Sequence, residues 1–247
     1  MEQIIGIIIS AAFGAIFGSY ATLFAHRLPI GQSCFGRYFG NKSQCPKCGS
    51  TIRTRELIPL LNWLFTLGRC SQCQTKIPRA HLFIELACTS LFVLCYLKFG
   101  FTEQFIIAAL VCVVCVILIV TDFKHKVFPY QLLNLLVTIG LVHRVLIDQT
   151  IIESVYSASV GVVCATVFYH VFYKKNPRLF ATQDQSFDYT KFILIAAVSL
   201  NMTDFLLYFS VLMIIFTMML LFDVPDNKVR FSFGYSLVVP FLWLFLA

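Results

Sequence analysis

The chain alternates between long apolar runs and short polar stretches. The runs fall near residues 3–24, 82–99, 104–121, 130–147, 155–173, 191–206, 205–222 and 231–246. A helix needs about 20 mainly apolar residues to cross the hydrocarbon layer of a membrane, so the pattern predicts about eight transmembrane helices. The sixth and seventh are poorly separated around Asn201, Thr203 and Asp204. The first run is preceded by Glu2 and no basic residue, and no small-residue cleavage site follows it. It therefore reads as a retained anchor rather than a secretory signal. Only the stretch between the first two runs is long enough for a soluble module. The expected organisation is a first helix over 1–29, a loop domain over 30–81 and a helical domain over 82–247.

Composition agrees with the pattern. Of the 247 residues 59% are hydrophobic and 26 are Phe, and the mean hydropathy is +0.82. A soluble domain is nearer half apolar with about a quarter of its residues charged. The expected fold class is an all-α membrane protein, a polytopic bundle of about eight transmembrane helices with a small cytoplasmic cysteine loop. No internal repeat or low-complexity tract stands out.

Charge sets the expected orientation. Arg27, Arg37, Lys42, Lys47, Arg53, Arg55, Arg69, Lys76 and Arg79 lie between the first two helices, with Glu56 the one acid among them. Short loops rich in Lys and Arg stay cytoplasmic. Alternation then places Lys124 and Lys126, Lys174, Lys175 and Arg178, and Lys228 and Arg230 on the same side, with both termini outside. The net charge of +7 is thereby one cytoplasmic face, suited to anionic lipid headgroups. No aromatic-basic interleaving points to nucleic acid, so none is expected as a partner.

The loop carries Cys45-Pro-Lys-Cys48 and Cys70-Ser-Gln-Cys73. Two such knuckles about twenty residues apart have the spacing of a tetrahedral four-thiolate zinc site. The alternative, two disulfides, is disfavoured in a reducing cytoplasm. Four protein ligands leave no open position, so the expected zinc is structural, and its binding would fold a loop too small for its own core. Cys88, Cys95, Cys112, Cys115 and Cys164 fall inside apolar runs and read as small buried hydrophobes. Cys34 is assigned no role.

Two carboxylates stand at the edges of apolar runs. Asp122 follows the run 104–121 and opens Asp122-Phe-Lys-His125-Lys-Val-Phe-Pro129, while Asp188 precedes Phe192 to Leu200. An ionisable residue at a membrane helix is a functional candidate by default. Two carboxylates from different helices on one side of the membrane can divide acid and base roles, as in aspartic proteases. Asp184 is a rival to Asp188 but lies farther from the apolar run. The helix dipoles would make Asp188, near a helix N-terminus, the base, and Asp122, near a C-terminus, the acid.

The order of these motifs resembles the bacterial type IV prepilin peptidases, which are leader peptidases and N-methyltransferases. Gly18-Ser19-Tyr20 through His26-Arg27-Leu28-Pro29 is similar to the family's Gly-Ser-Phe-x-Asn-Val-x-x-x-Arg-Leu-Pro. The cysteine loop continues the likeness with Ile58-Pro59, Asn62-Trp63-Leu64, Gly68-Arg69-Cys70, Ile77-Pro78-Arg79 and Glu85. Asp122 to Pro129 resembles the first catalytic stretch, and Phe233-Gly234 resembles a Phe-Gly-Pro near the C-terminal helix. The chain departs from the pattern at Gln185-Ser-Phe187-Asp188, where the family has Gly-x-Gly-Asp, and at Tyr130, where it has Asp.

The resemblance implies a membrane aspartyl endopeptidase of the bacterial inner membrane, with Asp122 and Asp188 catalytic and facing the cytoplasm. It implies pilin-like precursors with short basic leaders as substrates, and S-adenosylmethionine as donor for methylation of the new N-terminus. Glu56 and Glu85 are conceivable contacts for a basic leader, against the simpler reading of local ion pairs. Two other classes remain. One is a non-catalytic relative that binds pilin-like helices or assembly partners, supported by the missing glycines. The other is a transporter, which fits less well because its acids belong at the midplane in broken helices.

Overall fold

A computed structural model describes residues 1–32, 34, 45, 47–51, 63, 65–144, 151–174, 183–221 and 234–246, without the side chains of 151, 183–186 and 219–221. The described residues form eight α-helices and no strand, with one isolated bridge between Arg69 and Lys76. The chain divides into two compact units, Met1–Ile117 and Leu118–Ala247.

In the first unit, α1 (Glu2–Arg27) packs on α2 (Arg79–Phe99). The buried residues of α1 are Gly6, Ser10, Gly14, Gly18, Ala21 and Ala25, a stripe of small side chains at spacings of three and four. A Cβ on Gly14 would lie 2.7 Å from Thr89 Cα, and one on Gly18 2.7 Å from Glu85 Cα. Small residues let membrane helices approach to backbone contact where apolar burial supplies no drive between them. The opposite face of α1 exposes Ile4, Ile8, Phe13 and Ile16. Phe17 stacks on Phe92 at 5.5 Å, and Phe92 meets Phe105 of α3 (Glu103–His125) edge-on.

In the second unit, α4 (Tyr130–Val142), α5 (Ile151–Phe168), α7 (Met202–Leu221) and α8 (Gly234–Leu246) all touch α6 (Gln183–Ser199). A π-helical turn, Tyr169–Lys174, continues α5. Small residues again set the approach: a Cβ on Gly161 of α5 would meet Ala197 Cβ at 2.4 Å.

The sixth and seventh helices separate more cleanly than the hydrophobic pattern predicts. The break is at Leu200-Asn201, and its cause is Arg144, just after α4. This arginine is buried and hydrogen-bonds the Asn201 side chain and the Leu200 carbonyl, the latter at 3.3 Å. A terminal carbonyl that would lack a helical partner is thereby satisfied. Asn201 in turn accepts the Phe205 N–H through its own carbonyl at 2.8 Å and starts α7. Glu153 of α5 lies 3.9 Å from Arg144. The sixth helix also starts earlier than the run at 191, because the polar stretch from Gln183 onward is helical.

Among the described residues, four helical segments, Glu2–Ile30, Arg79–Phe99, Glu103–His125 and Ile152–Lys174, are long and apolar enough to cross a membrane, and three shorter apolar helices accompany them.

Candidate active site

Asp122 lies in the last turn of α3 with no exposed surface. The helix ends just beyond it: Lys126 takes a left-handed φ of 60° and donates its N–H to the Asp122 carbonyl at 3.0 Å. This is the single-bond αL termination of a helix. The chain then extends through Val127 and the buried Phe128 to Pro129, which caps α4. Pro129 therefore ends the loop before the fourth helix, as its position in the sequence predicts.

The Asp122 carboxylate receives two donors from distant parts of the second unit. The Tyr189 hydroxyl donates to Oδ1 at 2.9 Å, and the Gly234 N–H donates to Oδ2 at 2.8 Å. Gly234 opens α8, so its N–H is one of the groups that a helix N-terminus leaves without an internal partner. A Cβ on Gly234 would lie 2.7 Å from the Asp122 carboxyl carbon. Only glycine lets the backbone come this close.

Asp188, 9% exposed, is anchored in the same region. Its Oδ2 accepts the Phe128 N–H at 3.1 Å, and Lys191 Nζ lies 3.2 Å from its Oδ1. The Phe128 ring packs on Tyr189 at 5.5 Å and on Phe192 at 5.8 Å. Two consecutive α6 residues thus hold the two ends of the Asp122–Pro129 stretch, Tyr189 at Asp122 and Asp188 at Phe128. His125 is exposed in the last turn of α3, with Lys124 beside it.

The dipole argument from sequence does not survive this geometry. Asp188 lies in the second turn of α6, whereas the macrodipole acts within the first. Asp122, although at a helix C-terminus, also faces the N-terminus of α8. The side chain of Asp184 lies outside the described residues, as do Phe233, Glu56 and the loop arginines Arg53 and Arg55. Sequence reasoning missed Tyr189, whose only signal is its place beside Asp188. It matched Gly234 by resemblance without a physical reason for it.

In the first unit the Sγ atoms of Cys45, Cys48, Cys70 and Cys73 all lie within 4.8 Å of one another. Cys45 and Cys73 are 3.8 Å apart, about the edge of a tetrahedron with zinc–sulfur bonds of about 2.3 Å. The two knuckles repeat one backbone pattern. Cys45 N–H donates to the Ser50 carbonyl and Gly49 N–H to the Cys45 carbonyl; Cys70 N–H donates to Thr75 and Gln74 N–H to Cys70. Gly49 and Gln74 are both left-handed, at φ 68° and 57°. The Thr75 hydroxyl, 3.3 Å from Cys73 Sγ, and the Thr75 N–H bring the Cys73 thiol down to about 6. The donor set is compatible with a structural zinc ion.

Residues 12–99 match the family model of the bacterial peptidase A24 N-terminal domain. The chain is similar to prepilin leader peptidase/N-methyltransferases. It is 31% identical to that of Myxococcus xanthus over 119 residues, covering 48% of this chain and 34% of the relative. With the Bacillus subtilis protein it shares 31% over 121 residues, covering 49% and 47%. With the Vibrio cholerae protein it shares 25% over 170 residues, covering 67% and 66%. The chain thus spans from about a third to two thirds of these relatives' lengths. No solved structure matches it. The family match covers α1 from residue 12, the cysteine knuckles and α2, and bears out the resemblance read from the motifs of that stretch.

Proposed function

We propose that this protein is a membrane-embedded aspartyl endopeptidase, which removes the short basic leader of prepilin-like precursors at the cytoplasmic face. The observation that carries the reading is the buried Asp122, gripped by Tyr189 and Gly234, with Asp188 fixed one residue from Tyr189. The names of the relatives give the substrate class: they are prepilin leader peptidase/N-methyltransferases.

Hydrolysis needs one carboxylate to take a proton from water and one to give a proton to the scissile carbonyl. Asp188 is the base, because Lys191 at 3.2 Å is a counter-ion for its anion. Asp122 is the acid. Its Oδ2 accepts the Gly234 N–H and its Oδ1 the Tyr189 hydroxyl, which together hold the carboxyl group in one orientation.

The cytoplasmic location is read from the basic loops, and the helix ends that meet support only that the groups share one side. Alternating passages through eight helices put the end of α3 and the starts of α6 and α8 on one side, which agrees with Asp122 contacting Tyr189 and Gly234. They put Arg144, Leu200, Asn201 and Glu153 on the other, which agrees with their network. The reading keeps the functional division into a first helix 1–29, a zinc loop 30–81 and a peptidase domain 82–247. The relatives' names carry an N-methyltransferase activity, and methylation of the new N-terminus with S-adenosylmethionine as donor rests on the resemblance alone.

One observation favours the second reading, a non-catalytic binder of pilin-like helices. Residues 183–190 are helical where the family's Gly-x-Gly stands. The test is incubation of the purified protein in lipid vesicles with a prepilin-like precursor. Peptidase activity yields a mature product of the mass expected after leader removal, and a methyl label appears on it when labelled S-adenosylmethionine is present. An intact precursor across several substrates would favour the binder.

A further inference from the structure

The helices α4 and α6 line a groove that shares only Lys191 with the chemistry above. It has a volume of ≈ 240 Å³ and is lined by Leu133, Asn134, Val137, Lys191, Leu194, Ile195 and Val198. One end is Lys191, which holds Asp188 Oδ1. The other is closed where the helices touch: a Cβ on Gly140 would meet Ser199 Oγ at 2.2 Å. From Lys191 to Val198 the groove follows seven residues of α6, about 10 Å or two helical turns.

We infer that this groove seats the apolar segment of the precursor immediately after the bond to be cut, with the bond itself at the Lys191 end beside Asp188. The inference rests on the peptidase reading and deepens it. The groove starts at Lys191, the ion-pair partner of the candidate catalytic Asp188, and runs away from it along α6, the direction that an apolar segment must take into the membrane if its leader stays in the cytoplasm. Its walls are apolar except for Asn134 and Lys191, so it matches the apolar side chains along one face of a helix, with Lys191 at the cleavage end. The contact of Gly140 with Ser199 stops the groove after two turns. Specificity is then read over the first turns of the segment and not its full length.

Val137→Trp and Val198→Trp would fill the groove without touching Asp122, Asp188, Tyr189 or Gly234. The expected result is a loss of about tenfold or more in kcat/KM, carried by KM with kcat within about twofold, as for loss of uniform binding. Unchanged kinetics in both variants would overturn the inference. Independently of any packing damage by Trp, a benzoylphenylalanine photoprobe at Leu194 should give an adduct with the precursor's apolar segment. The same probe at Leu206, exposed on α7, should not. Equal adducts at both positions, or an adduct between two copies of this chain at Leu194, would also overturn it. If the wild type cleaves nothing but the Leu194 adduct forms, the docking groove stands and the peptidase reading falls. If cleavage proceeds without that adduct, the reverse holds.

Discussion

At Gly234 a hydrogen atom is all that fits. Any side chain there would press on the Asp122 carboxyl group at 2.7 Å and displace the N–H that Oδ2 accepts. Gly234→Ala is therefore expected to abolish cleavage and to cost about 1–3 kcal/mol of stability, the usual range for overpacking. Cleavage assays and thermal melts in detergent would check both. Tyr189→Phe removes a buried donor from Asp122 Oδ1 while keeping the ring against Phe128. The expected loss of stability is about 1–3 kcal/mol, the cost of an unsatisfied buried group, with a drop in kcat larger than any change in KM. An unaltered kcat would mean that Tyr189 does not hold the carboxyl group for catalysis. Asp122 itself was legible in the sequence because a carboxylate ending an apolar run is costly and rare. Tyr189 was not, since an aromatic residue in a hydrophobic helix carries no sign of which hydroxyl partner the fold will bring to it.

Among the elements, the knuckles and helices were readable to different degrees. Cys-x-x-Cys fixes its own geometry locally, so the spacing of two knuckles was enough to foresee that four sulfurs converge. The boundaries of α6 were not readable. Its start lies in a polar stretch without apolar period, and its end depends on Arg144, 56 residues earlier in the chain, reaching the Leu200 carbonyl. The close packing of α1 on α2 was missed because a Gly6-Ser10-Gly14-Gly18 stripe shows as an absence of bulk, which hydrophobic patterning does not register. Gly14→Leu should separate these helices and lower the melting temperature, whereas Ile8→Leu on the exposed face should not.

The knuckles make a chemical prediction of their own. In the metal-free protein Cys73 is brought down to about 6 by Thr75, whereas partial burial raises Cys34 above the usual thiol range. At neutral pH after chelation, iodoacetamide should label Cys73 well before Cys34, and zinc should protect Cys73. Peptide mass mapping of the labelled sites checks this, and equal labelling with and without zinc would contradict a metal bound at Cys73.

For the whole molecule, the all-helical class followed from the apolar runs, and four of the expected eight spans are long and apolar enough among the described residues to cross a membrane. The meeting of particular helix ends did not follow, since any bundle of alternating helices satisfies the same hydrophobic pattern. Which ends converge is set by a few polar contacts, Gly234 and Tyr189 on Asp122 and Arg144 on the α6–α7 turn. The central claim is that this convergence is catalytic. Cleavage of a prepilin-like precursor should be measured in membranes containing the wild type, Asp122→Asn, Asp188→Asn and Asp184→Asn. Asn keeps the size and one acceptor oxygen, for the Gly234 N–H at 122 and the Phe128 N–H at 188, and the Tyr189 hydroxyl can turn to accept from the new amide NH2, so the fold is retained while the proton chemistry is lost. The account predicts cleavage by the wild type and Asp184→Asn and none by Asp122→Asn or Asp188→Asn. Full activity in either of those two variants would contradict it.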